Sequence, residues 1–92
     1  GGRVHGGVLT SLAATAAGAA VRTMRPAGKA SATTDLNVAF IRPPSGDTLV
    51  AIAQVIYAGK ALFRTEITVN SDNKLVARAN ATFMIVSPLA NS

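Results

Sequence analysis

Residues 4–26 read VHGGVLTSLAATAAGAAVRTMRP, and this stretch decides the fold. From Val8 to Met24 it contains no proline, and Val8, Leu9, Leu12, Ala16, Ala19 and Ala20 recur near helical spacing. Alanine is the best helix former. A helix built largely of alanine is also thin, so a sheet can wrap it closely. Arg22 and Arg25 fall in the last turn, where cations complement the helix dipole. Pro26 and Gly28 then stop the helix. The expectation is one long helix from Val8 to Met24, opened by Gly6 and Gly7.

Four strand-like segments follow. The first spans Ala32 to Arg42, with Thr34, Leu36, Val38 and Phe40 on one face. Pro43, Pro44, Ser45 and Gly46 break it. The second spans Thr48 to Ala58 and is apolar on both faces, with Leu49, Val55 and Tyr57 on one and Val50, Ile52 and Ile56 on the other. That pattern suggests a central strand covered on both sides. Gly59 and Lys60 turn the chain into a third strand, Ala61 to Asn70, where Phe63, Ile67 and Val69 alternate with Arg64, Glu66, Thr68 and Asn70. Ser71, Asp72 and Asn73 make a hairpin loop, and the fourth strand runs from Leu75 to Val86, ended by Pro88. One helix followed by four strands in a meander is an α+β layout, with the antiparallel sheet curled around the helix.

The totals narrow the function. With 92 residues the chain is one domain, 1–92, small enough to lean on a partner subunit. It has no cysteine, which excludes disulfides, thiolate metal sites and a Cys nucleophile. Its single histidine cannot build a zinc site alone, so no metal is expected. The formal charge of +5 favours phosphate-bearing partners, but the nine basic residues are scattered and aromatics are few, which argues against nucleic acid. Residues 4–21 are too rich in small residues to make a good membrane helix. The expected location is cytoplasmic.

His5-Gly6-Gly7 carries the sharpest local chemistry. The first N–H groups of a helix lack intrahelical partners, and glycines let a ligand approach them, which makes a site for an anion or a developing oxyanion. A plain glycine-rich start to a helix is the other reading of the same three residues.

The motif does not stand alone. His5-Gly6-Gly7-Val8-Leu9 followed by Ser11-Leu12-Ala13 resembles the helix-opening motif of the phenylacetate-type (PaaI-like) hotdog thioesterases. Thr34-Asp35-Leu36-Asn37-Val38 with Phe40-Ile41-Arg42-Pro43 is similar to the family's next strand. Gly59-Lys60 at the hairpin, and Lys74-Leu75-Val76-Ala77 leading to Ala81-Thr82-Phe83, follow in the same order. The resemblance implies a hotdog fold, a sheet wrapped around a central helix, assembled as a dimer or tetramer. It implies hydrolysis of acyl-CoA thioesters, with coenzyme A entering as part of the substrate and no separate cofactor. The backbone N–H of Gly6 or Gly7 would polarise the thioester carbonyl, and His5 would orient that loop. Asp35, Arg42, Gly59 and Lys60 would line the substrate site, with Arg42, Lys60 and Arg64 as the candidates for coenzyme A phosphates.

Two departures qualify the resemblance. The family begins with a further strand ahead of the His-Gly-Gly motif that has no counterpart in these 92 residues, so an unpaired sheet edge is expected. The family's catalytic acid falls seven positions after the second glycine, where this chain has Ala14. Alanine can neither take a proton nor attack a carbonyl. The expectation divides between a thioesterase silenced at position 14 and a non-catalytic module that binds acyl-CoA or a small apolar ligand.

Overall fold

The computed structural model describes residues 2–44 and 48–87, with side chains from Gly7 onward. Ser45 and Gly46, read as part of the break after the first strand, and Pro88, read as the end of the last strand, lie outside the described residues. Helix α1 spans Gly2–Met24 and is followed by strands β1 (Ala30–Phe40), β2 (Leu49–Ala58), β3 (Leu62–Ser71) and β4 (Lys74–Val86). The elements match the sequence reading to within two residues, except at the start of α1. The helix passes through His5, Gly6 and Gly7 instead of beginning after them. Residues 4–7 include no Ser, Thr, Asp or Asn that could cap a helix start before Val8.

All strand pairs are antiparallel, in the order β1-β4-β3-β2. Two expectations need correction. The strands do not form a simple meander: β2, β3 and β4 follow one another, but β1 sits beyond β4. And β2 is an edge strand of the described sheet, not a central one. Its inner residues Leu49, Ala51, Ala53 and Val55 are half-buried, while Val50, Ile52 and Ile56 are about half exposed on the other face. Apolar residues on both faces describe an open edge strand as well as a covered central one, so the pattern alone could not separate the two.

The core lies between α1 and the inner face of the sheet. Leu9, Ala13, Ala17 and Val21 recur every fourth residue and are at most 2% exposed, so a single helical stripe faces the sheet. Opposite it stand Phe63, Ile67 and Val69 of β3 and Ala77, Ala79, Ala81 and Phe83 of β4, all buried. Thr65 is also fully buried, and its hydroxyl donates to the Ala81 carbonyl at 3.1 Å, which offsets the cost of burying it. The helix packs chiefly on β2 and β3.

The connections follow local chemistry. After α1, the Lys29 N–H donates to the Pro26 carbonyl at 3.2 Å, closing a turn whose third residue, Gly28, has φ of 79°. That is the type II pattern, in which glycine carries the positive φ. Between β3 and β4 the turn is only two residues, Asp72 and Asn73, with φ of 50° and 69°. Both are left-handed, as a type I′ hairpin requires. Ser71, read as part of the loop, instead closes the ladder opposite Lys74.

Three bulges interrupt the ladders. In β1 the register shifts around Thr34, whose hydroxyl donates to the Thr82 carbonyl at 3.1 Å. The Asp35 carboxylate then accepts the Thr82 N–H at 3.1 Å. In β2 the shift falls at Ile56. In β4 it falls at Val76, whose carbonyl accepts N–H groups from Ile41 at 2.9 Å and Arg42 at 3.4 Å.

Two stability outcomes follow. Asn73→Ala places an ordinary side chain in the left-handed region and lowers unfolding stability by about 1 kcal/mol, whereas Asn73→Gly does not. Asp35→Ala strips the Thr82 N–H of its acceptor and costs about 1 kcal/mol, whereas Asp35→Asn retains an oxygen there and costs much less. Urea unfolding midpoints of the four variants check both.

Candidate active site

Most of the residues singled out from the sequence fall at the two ends of the chain's long axis. At one end the Arg25 guanidinium donates to Ser31 Oγ at 2.9 Å, tying the end of α1 to the start of β1. Ser31 pairs with Ile85, and the Ile85 N–H donates to the Ala61 carbonyl at 2.9 Å in the β2–β3 hairpin. Gly59, whose N–H donates to the Leu62 carbonyl at 2.9 Å, and Lys60 therefore sit at the C-terminal end of the helix. The helix rises about 1.5 Å per residue, which puts His5-Gly6-Gly7 about 30 Å away along its axis. Arg42 follows the far end of β1, where Ile41 and Arg42 bond to Val76. Asp35 lies between, engaged at its bulge. The longest dimension of the chain, 45 Å, accommodates this separation. A single copy of the chain does not bring Lys60 to the glycine motif.

The helix positions place further limits on the chemistry. With α1 beginning at Gly2, the N–H groups of Gly6 and Gly7 stand over the carbonyls of Gly2 and Arg3, four residues back. The free N–H groups of such a helix belong to its first turn. Ala14 is exposed, one residue around from buried Ala13, so its side chain points away from the sheet. Val8, Ser11, Thr15 and Ala19 share that open side. No charged residue occurs between Arg3 and Arg22, so the exposed helix surface is uncharged over most of its length.

None of the chain's four carboxylates lies on the helix. Asp35 is exposed but bonded to Thr82, Glu66 stands on the sheet face turned away from the helix, and Asp72 is in the hairpin turn. That outer face also carries a shallow depression of about 390 Å³ lined by Asn37, Glu66, Thr68, Arg78 and Asn80 among others. The Asn37 amide donates to Asn80 Oδ1 at 3.2 Å across it. The depression is separated from α1 by the thickness of the sheet. Among the described residues no group of His, Cys, Asp and Glu could hold a metal ion, and no helix is long and apolar enough to cross a membrane.

One residue escaped the sequence reading. Strict alternation puts Tyr57 on the same face as Val55, but the bulge at Ile56 turns it over. Val55 pairs with buried Thr65, whereas Tyr57 pairs with exposed Arg64 on the outer face. The bulge had no signal in the sequence, although Gly59, two residues on, gives the ring room.

Comparison with known proteins agrees with this architecture. The sequence profile described as the thioesterase superfamily matches residues 1–78. A Halobacterium salinarum protein whose name assigns it, provisionally, to the esterases is 46% identical over 70 residues, 74% of this chain and 46% of that protein. A Bacillus halodurans protein solved with CoA superimposes with a TM-score of 0.85 at 31% identity, covering 89% of this chain and 55% of its own. A thioesterase of Haemophilus influenzae superimposes with a TM-score of 0.88 at 27% identity, covering 95% of this chain and 62% of its own. The chain thus spans about half to three-fifths of the length of these relatives. The match runs through the helix, the first three strands and the start of the fourth, and the helix clasped by an antiparallel sheet is the hotdog arrangement; the chain belongs to the thioesterase superfamily.

Proposed function

We propose that this chain is an acyl-CoA-binding thioesterase scaffold whose site is assembled from two copies. The observation that carries the reading is its likeness to the Bacillus halodurans protein solved with CoA, which extends over 89% of the chain. The scattered positive charge suits a ligand with several phosphates. Assembly from two copies is supported by the uncharged outward side of α1 and by the separation of Lys60 from the glycine motif. Antiparallel pairing of two helices would set the N-terminal end of one beside the C-terminal end of the other. The glycines of one copy and the hairpin cations of its partner could then meet a single elongated ligand. We further propose a cytoplasmic location.

Hydrolysis asks for two groups. A donor must hold the carbonyl oxygen as water adds to the carbon, and a base must take the proton from that water and pass it to the departing sulfur, giving acid and thiol. Gly6 and Gly7 are the donors best placed by resemblance. Their N–H groups become available if the first turn of α1 unwinds, which two adjacent glycines make inexpensive. His5 would orient that segment. The base is the missing part. Ala14 opens outward from the helix toward where a second copy would lie, and no other carboxylate stands on the helix. A second reading follows from the same residue: the chain holds acyl-CoA, or another small apolar ligand, without turning it over.

Thiol release from short-chain, long-chain and aromatic acyl-CoAs separates the two. Ala14→Asp is expected to raise turnover by roughly a hundredfold or more over the unaltered chain, the usual contribution of a general base. Binding of acyl-CoA by both chains with no thiol release from either would favour the non-catalytic reading. Absence of acyl-CoA binding would overturn the proposal.

A further inference from the structure

We propose that the outer face of the sheet holds a second binding site, for a zwitterionic small molecule of the α-amino acid class, built by Glu66, Arg78 and the amides of Asn37 and Asn80. The site is independent of the acyl-CoA reading, because the thickness of the sheet separates it from α1.

Strand register puts these side chains on one lattice. Asn37, Asn80, Glu66 and Gln54 pair in succession across β1, β4, β3 and β2. Four amide or carboxylate side chains therefore stand in one row, about 4.8 Å apart. The next row along the strands is Ala39, Arg78, Thr68 and Ile52. Ala39 and Thr68 are short, so Arg78 is flanked by low ground on both sides. The depression of about 390 Å³ opens there, between the two rows.

The lining carries both signs of charge. Arg78 lies diagonal to Glu66 across the β3–β4 ladder, a backbone separation of about 7–8 Å. Among the described residues, neither side chain takes part in a hydrogen bond or an ion pair. The Asn37 amide nitrogen donates to Asn80 Oδ1 at 3.2 Å. That bond leaves the Asn80 amide nitrogen as a donor and the Asn37 amide oxygen as an acceptor. A simple anion would meet the Glu66 carboxylate, and a simple cation would meet Arg78, so each is opposed by like charge. A ligand with an ammonium and a carboxylate satisfies both residues at once. A side-chain amide on the same ligand matches the asparagine pair. A glutamine-like amino acid has all three groups. Arg64, the next cation on this face, stands a row further on, opposite Tyr57 and Thr82. Asn37, Glu66, Arg78 and Asn80 are all exposed, so the ligand is held against solvent and binding is weak.

Nuclear magnetic resonance of the 15N-labelled chain reads weak binding at single groups. L-glutamine should shift the side-chain amide signals of Asn37 and Asn80 saturably. Two analogues test the charges separately: 4-aminobutanamide lacks the α-carboxylate, and glutaramic acid lacks the α-ammonium. Each should bind roughly fivefold more weakly or worse, the effect of losing one charged hydrogen bond. Glu66→Gln should abolish the preference for L-glutamine over glutaramic acid, and Arg78→Gln should abolish the preference over 4-aminobutanamide. Unchanged signals from α1 and the buried strand residues would show that both variants fold. No saturable shift with L-glutamine, equal binding of the three compounds, or full affinity retained in both variants would each overturn the site, and would leave the acyl-CoA reading untouched.

Discussion

The stripe Leu9, Ala13, Ala17 and Val21 is the contact on which the fold depends. Two of its four members are alanines buried completely against the sheet, which brings the helix axis close to the strands. Larger residues at 13 or 17 would overfill that contact at a cost of about 1–3 kcal/mol each. The sheet answers with small residues of its own, Ala77, Ala79 and Ala81 on β4, and reserves bulk for Phe63, Ile67 and Phe83. Because the helix lies along the sheet in this close contact, the ends of the protomer are fixed: the glycine motif at one, the β2–β3 hairpin at the other.

Much of this architecture was legible in the residues. Pro26 and Gly28 marked the end of the helix because each acts through backbone geometry, which does not depend on distant contacts. Asp72 and Asn73 marked the second hairpin for the same reason. The alternation along β3 identified its buried face correctly. Strand order was another matter. Where β1 pairs depends on which edge of the sheet remains open, and no local pattern in Ala30–Phe40 encodes that choice. The register shifts at Thr34, Ile56 and Val76 were equally silent, and the second of them reversed the facing of Tyr57. At the helix start, two glycines suggested a boundary, but without a capping side chain the helical hydrogen bonding continues through them.

The sequence named candidate site residues but not their arrangement. His5, Gly6, Gly7 and Arg42 belong to one end, Gly59 and Lys60 to the other, and Asp35 supports a bulge between them. Sequence order cannot show that distance, which the proposed site spans with two copies of the chain. The same reasoning gives Ala14 its meaning. Its side chain faces away from the sheet, so a carboxylate there would serve chemistry outside the protomer's own core, and alanine leaves that position empty of any proton acceptor. The uncharged surface around it is where the proposed second copy would pack.

Linkage tests directly whether the ligand bridges two copies, as proposed: a ligand held by both must tighten their association. Sedimentation equilibrium of the chain across a range of concentrations, with and without saturating coenzyme A, makes the measurement. A bridging ligand requires a self-associating chain whose dissociation shifts to lower protein concentration when coenzyme A is present. A monomer that binds coenzyme A at full affinity, with no change in its mass distribution, would contradict it.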